Sequence, residues 1–102
     1  MTETVETIAA WGNATFGPVT GLRAAVRANE EMSECIKAYV AENASAGLIE
    51  AADVVICLCR IPGLWEAVEQ KMAVNRSRTW NVGPDGCGYH VKSAASNNSE
   101  AV

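Results

Sequence analysis

Apolar residues recur at helical spacing through most of the chain, and clusters of turn-forming residues interrupt them. A first helix is expected from about Glu3 to Asn13, with Thr2 as its N-cap and Val5, Ile8 and Ala9 as its apolar stripe. Phe16-Gly17-Pro18 stops it. A long second helix is expected from about Gly21 to Glu42, closed by Asn43-Ala44-Ser45-Ala46-Gly47. A third runs from about Leu48 to Arg60 and ends before Pro62-Gly63, because the residue ahead of a proline disfavours helical backbone. A fourth runs from about Leu64 to Arg78 or Trp80. Gly83-Pro84-Asp85-Gly86 reads as a turn, Tyr89-His90-Val91 as a locally extended stretch, and Ser93 to Val102 as a polar tail expected to be disordered. The pattern predicts an all-α fold, a compact bundle of about four helices forming one domain over residues 1–92.

Two helices carry unusual faces. On the second, Leu22, Val26, Asn29, Ser33, Ile36 and Val40 fall within about 80° of one another and predict the core face. Beside them Glu30, Glu34 and Glu31 form one contiguous acidic stripe. Like charges at these spacings repel, so either solvent or a bound cation must offset them. The third helix is apolar nearly all round, the pattern of a buried helix. Its only ionisable residues before Arg60 are Glu50 and Asp53, three positions apart on one side.

Composition narrows the class. The chain has 102 residues, a net charge of −4, 49% hydrophobic and 20% charged residues, as expected of one small globular domain. No apolar run approaches the roughly 18 residues of a membrane span, and Met1 to Glu6 lacks the basic stretch of an export signal. A cytoplasmic chain with no membrane partner is expected. The acidic balance argues against nucleic acid as a partner. Cys35, Cys57, Cys59 and Cys87 fit no zinc-ligand spacing and predict reduced thiols, with Cys57 and Cys59 as small core fillers. The charge is unevenly spread: residues 1–53 carry net −5 and residues 54–102 carry net +1.

That asymmetry brings the carboxylates forward. With the second and third helices antiparallel, as a short connection favours, Glu31 and Glu34 are expected to face Glu50 and Asp53. Four carboxylates around one pocket do not all stay ionised without cations. The alternative is a set of salt bridges from Glu50 and Asp53 to Arg23 or Arg27. Hard oxygen donors suit Mg²⁺ or Mn²⁺, whereas zinc favours His and Cys, and nothing here has the loop of an EF-hand. On the fourth helix Lys71, Asn75 and Arg78 follow at i, i+4 and i+7 and share a face. Two cations and an amide in such a row suit a polyphosphate, or else are solvated cations near a helix end. Arg76 lies about 100° from Asn75 and reads as a surface charge.

The order of these residues resembles a known family. Glu30-Glu31-Met32-Ser33-Glu34 followed by Glu50-Ala51-Ala52-Asp53 is similar to the EExxE…ExxD signature of the MazG-like all-α nucleoside triphosphate pyrophosphohydrolases. Lys71-Met72-Ala73-Val74-Asn75-Arg76-Ser77-Arg78 looks like the KxxxN element that follows it. Trp11 to Gly17, and Asn75 through Asp85 to Val91, resemble the dATP/dGTP pyrophosphohydrolase branch common in phages. The likeness spans roughly residues 5–92. It departs at Ile49, where the family carries an acidic or polar residue, and in the shortness of the expected third helix.

The resemblance implies hydrolysis of a (deoxy)nucleoside triphosphate, dATP or dGTP above all, to the monophosphate and pyrophosphate, shaping the nucleotide pool. Two or three Mg²⁺ or Mn²⁺ ions would be held by Glu31, Glu34, Glu50 and Asp53. Glu30 would bind a further ion, orient the water or act as base. Lys71, Asn75 and Arg78 would hold the phosphates. Trp11, Phe16 and Trp80 are stacking candidates, or else core aromatics, and His90 and Tyr89 are expected in a C-terminal strap rather than in catalysis. A homodimer or dimer of dimers is expected, since four short helices offer little surface to cover a nearly all-apolar one. A phage-encoded chain would act in the host cytoplasm. The alternatives are a non-catalytic nucleotide-binding or interaction module, and a superfamily enzyme acting on dUTP, phosphoribosyl-ATP or damaged nucleotides.

Overall fold

The computed structural model of the chain describes residues 2–91. The polar tail expected from Ser93 onward lies outside them. The order of elements is α1 (Val5–Phe16), α2 (Gly21–Val40), α3 (Ala44–Leu58), α4 (Leu64–Ser77), β1 (Trp80–Val82) and β2 (Gly88–His90). The all-α architecture of four helices is as expected, with one short antiparallel ribbon added. Among the described residues no helix is long and apolar enough to cross a membrane. The chain divides into two compact units, Met1–Ala67 and Val68–Val102.

Helix ends follow local hydrogen bonding more than the apolar pattern. α1 starts two residues later than expected, because Thr4 and Thr7 close a reciprocal capping box. Thr7 N–H donates to Thr4 Oγ1 at 3.1 Å and Thr4 N–H donates to Thr7 Oγ1 at 2.8 Å. Thr20 caps α2 by accepting from Arg23 N–H at 3.1 Å. α3 begins at Ala44, four residues before the expected Leu48. The small-residue cluster that reads as a loop is in fact its first turn, because Asn43 Oδ1 accepts from Ala46 N–H at 3.1 Å. α3 is therefore 15 residues long and not short.

The link between α2 and α3 is a tight turn. Glu42 N–H donates to Tyr39 O at 3.0 Å and Asn43 N–H donates to Ala38 O at 2.9 Å, the paired bonds of a Schellman stop. Glu42 sits at φ 60, the left-handed position usually given to glycine. This stop folds α3 straight back along α2, and the α2–α3 pair holds most of the contacts between elements.

The packed faces are not the expected ones. Ala24, Ala28 and Cys35 are the buried residues of α2, and Gly47 and Val54 those of α3, with Cys59 just beyond its end. Leu22, Val26, Asn29, Ser33, Ile36 and Val40, the expected core stripe, are exposed instead, with Leu22 at 75% and Val40 at 78%. The cause is steric. Small side chains let the two backbones approach closely, and the large apolar residues are turned away from the contact. Gly47 illustrates the tolerance: a Cβ there would lie 2.6 Å from the Tyr39 ring. α3 is likewise not a fully buried helix, since Leu48, Ile49, Val55 and Ile56 are exposed.

In the second unit, β1 and β2 pair antiparallel with Trp80 opposite His90, Asn81 opposite Tyr89 and Val82 opposite Gly88. Extended backbone thus covers both Trp80–Val82, where the fourth helix was expected to end, and the Tyr89–His90 stretch. Glu42→Gly is expected to raise the unfolding free energy by about 1 kcal/mol by relieving the left-handed strain. Gly47→Ala is expected to lower it by about 1–3 kcal/mol through overpacking. Urea titration of the two variants against the wild type measures both.

Candidate metal centre and cleft

The close contact of α2 with α3 determines which carboxylates meet. Glu31 lies one turn before the buried Cys35 on the packed face of α2. Glu50 and Asp53 lie one turn apart on α3, between the buried Gly47 and Val54. Carboxylate oxygens of Glu31, Glu50 and Asp53 all fall within 4.8 Å of one another, and all three residues are half-buried. This is the arrangement expected for three of the four proposed ligands.

The other two acids of the motif stand apart. Glu34 is not in the cluster: its side chain is 57% exposed and takes Lys37 Nζ at 3.4 Å. Three positions along the helix offset Glu34 from Glu31 by about 60°, and its side chain turns outward to Lys37 at the rim of the packed face. It acts on Glu50 only through its charge. Glu30 is exposed and pairs with Arg27 at 3.5 Å. The salt bridges weighed for Glu50 and Asp53 are absent from the ion pairs formed among the described residues. Arg27 goes instead to Glu31, at 2.8 Å, whose side chain is 15% exposed.

Crowding changes the protonation of the cluster. Glu50 is raised above its ordinary value, first by a hydrogen bond with the Glu31 carboxyl, then by burial and by the charges of Glu31, Asp53 and Glu34. Two ionised carboxylates only accept, so a bond between them requires one to keep a proton. Without a cation, the cluster holds its proton more tightly in the folded chain than in the unfolded chain.

The cluster opens onto a cleft of about 490 Å³ within the first unit. Glu31 and Asp53 line it, and the α1 side carries Ile8, Trp11 and Phe16. The two aromatic rings meet edge-to-face at 5.5 Å and 88°. Arg60 ties α1 to the end of α3. Its Nη2 donates to Asn13 Oδ1 at 2.9 Å and also to Gly17 O. The side chain crosses α1 at Gly12, where a Cβ would lie 2.8 Å from Arg60 Cδ. Arg23, Arg27 and Arg60 also line the cleft. These three cations were missed as site residues, although the spacing Arg23, Arg27, Glu31 already places the first two along one face of α2.

Lys71, Asn75 and Arg78 belong to the second unit. Lys71 and Asn75 lie on α4, and Arg78 falls just past its end, with its N–H donating to Asn75 O at 3.3 Å. Asn75 Oδ1 is buried without a hydrogen-bond partner, while the Asn75 carbonyl accepts from Trp80 Nε1 at 2.8 Å. Arg76 is exposed, as expected. In the same unit the His90 and Trp80 rings meet at 5.7 Å, tilted by 52°. Tyr89 Oη donates to Asp85 Oδ2 at 2.9 Å. The Cys87 N–H and this Tyr89 hydroxyl hold the Asp85 carboxyl below its usual value, which locks the turn.

All four cysteines are free, and Cys35 Sγ contacts Gly47 O at 3.4 Å. Burial pushes the Cys57 and Cys59 thiols up, which leaves them protonated fillers rather than nucleophiles. Comparison with protein-family models, curated proteins and solved structures finds no match.

The raised Glu50 has a defined consequence for stability. A carboxyl whose folded value lies above its unfolded value stabilises the fold at low pH and loses that contribution as pH rises through the folded value. Metal-free wild type is therefore expected to lose stability between about pH 4.5 and neutrality relative to Glu50→Gln. Urea melts of both proteins with EDTA across that range measure the difference. Equal pH dependence in the two would contradict the assignment.

Proposed function

We propose that the chain is a metal-dependent nucleoside triphosphate pyrophosphohydrolase, with dATP and dGTP as its first candidate substrates. The observation that carries this reading is the meeting of Glu31, Glu50 and Asp53 within 4.8 Å at the edge of an aromatic- and arginine-lined cleft. The donor set fits Mg²⁺ or Mn²⁺: all donors are hard carboxylate oxygens, and a cation would relieve the repulsion that raises Glu50. Glu31, Glu50 and Asp53 would hold the metal, with Glu34 available only through rotation of its exposed side chain. When bound, the metal neutralises phosphate charge and lowers the pKa of coordinated water.

The reaction that suits these groups is in-line attack of water on the α-phosphorus. One P–O bond forms, the bond to the β-phosphate bridging oxygen breaks, and pyrophosphate leaves. A carboxylate of the cluster accepts the water proton. Trp11 and Phe16 offer aromatic surface for the base, and the cleft arginines offer charge for the phosphates. Lys71, Asn75 and Arg78 remain phosphate ligands on the family resemblance. The exposed α2 stripe of Leu22, Val26, Ile36 and Val40 favours a homodimer or larger homo-oligomer. A cytoplasmic location, the host's for a phage-encoded chain, suits a nucleotide substrate.

The test is incubation with each of the eight common NTPs and dNTPs in Mg²⁺ or Mn²⁺. The expected products are monophosphate and pyrophosphate, with Glu50→Gln slowing turnover by about a hundredfold or more. Failure of every nucleotide to give these products, or an unchanged rate in Glu50→Gln, would overturn the reading.

A further inference from the structure

The contact of Arg27 with the carboxylate cluster is one that the pyrophosphohydrolase reading does not explain. Its guanidinium contacts Glu31 at 2.8 Å and Glu30 at 3.5 Å, and the same side chain lines the cleft beside Arg23 one turn earlier. Glu31 is one of the three clustered carboxylates. The carboxylate has few lone pairs to share, so a divalent cation at the cluster and Arg27 compete for it. The two guanidiniums at i and i+4 would together present a row of donors to an anion in the cleft.

We propose that Arg27 is an internal counter-ion of the metal centre, displaced from Glu31 by the metal and then engaged by the substrate's phosphates. This inference rests on the pyrophosphohydrolase reading. It adds an order of events to it. In the metal-free chain Arg27 neutralises Glu31 and limits the repulsion that Glu50 and Asp53 impose. Metal takes over that neutralisation, and the released guanidinium stays beside the cleft as a ligand for polyphosphate. A cleft without metal thus keeps Arg27 occupied, which makes phosphate binding depend on prior metal binding. The forked, permanently charged guanidinium suits both partners, each of which offers paired oxygens.

The test is Mn²⁺ binding followed by electron paramagnetic resonance, first without and then with inorganic tripolyphosphate. Arg27→Gln is expected to tighten Mn²⁺ about two- to fivefold in the absence of the anion, the range set by losing one competing exposed ion pair. The same variant is expected to weaken tripolyphosphate binding to the Mn²⁺-loaded protein about fivefold or more. Arg27→Lys retains the competing charge and is expected to bind Mn²⁺ as the wild type does. Arg23→Gln removes an equal charge from the same cleft and is expected to tighten Mn²⁺ less than Arg27→Gln. Unchanged or weaker Mn²⁺ binding in Arg27→Gln, or equal tightening in Arg23→Gln, would overturn the competition. Undiminished tripolyphosphate binding would overturn the second role of Arg27. Wild-type Mn²⁺ binding that is absent or indifferent to Glu50→Gln would instead sink the metal centre itself, and this inference with it.

Discussion

The close approach of α2 and α3 is the constraint on which the rest of the first unit depends. It is made by residues that leave almost no side chain in the gap: Ala24, Ala28 and Cys35 on one helix, Gly47 on the other. Backbones that near bring Glu31, Glu50 and Asp53 together whether or not the charges favour it. The fold therefore holds three carboxylates against their mutual repulsion, and the raised proton affinity of Glu50 is the electrostatic record of that compression. Stability and chemistry are opposed at this point. The packing gained by small residues is partly offset by the charges it crowds, a conflict that a bound cation would resolve.

The same packing has a cost elsewhere. A helix pair joined through alanine, cysteine and glycine buries little apolar area, and among the described residues no buried side chain is larger than valine. The large apolar side chains of α2 and α3 face outward, a surface more typical of a subunit than of a monomer. α1 closes the cleft mainly through side chains, with Arg60 as its polar tie to the end of α3. The aromatic wall of the cleft thus depends on one long side chain lying across one glycine.

Much of this was legible from residue order. Four helices, their approximate stops and the meeting of Glu31 with Glu50 and Asp53 all follow from apolar spacing and a three-residue offset of acids on an apolar helix. Four features escaped the pattern for physical reasons. Hydrophobicity ranks Leu22, Val26, Ile36 and Val40 above Ala24 and Ala28, so it selects the larger face, while helix contact at short range selects the smaller one. Glu34 was grouped with Glu31 on one acidic stripe expected to face α3, but its exposed side chain turns to the rim, where Lys37 takes it. The start of α3 was hidden in a small-residue cluster that is helical only because Asn43 caps it. The cleft arginines were visible as charges, yet their function emerges only when Arg27 is found bonded to Glu31.

The central claim is that the crowded carboxylates serve the attack of water on a nucleotide's α-phosphorus. Hydrolysis of dATP or dGTP in ¹⁸O-labelled water with Mn²⁺, followed by mass analysis of both products, tests it most directly. The account predicts one labelled oxygen in the monophosphate and none in the pyrophosphate. Label in the pyrophosphate, or release of orthophosphate in its place, would contradict it.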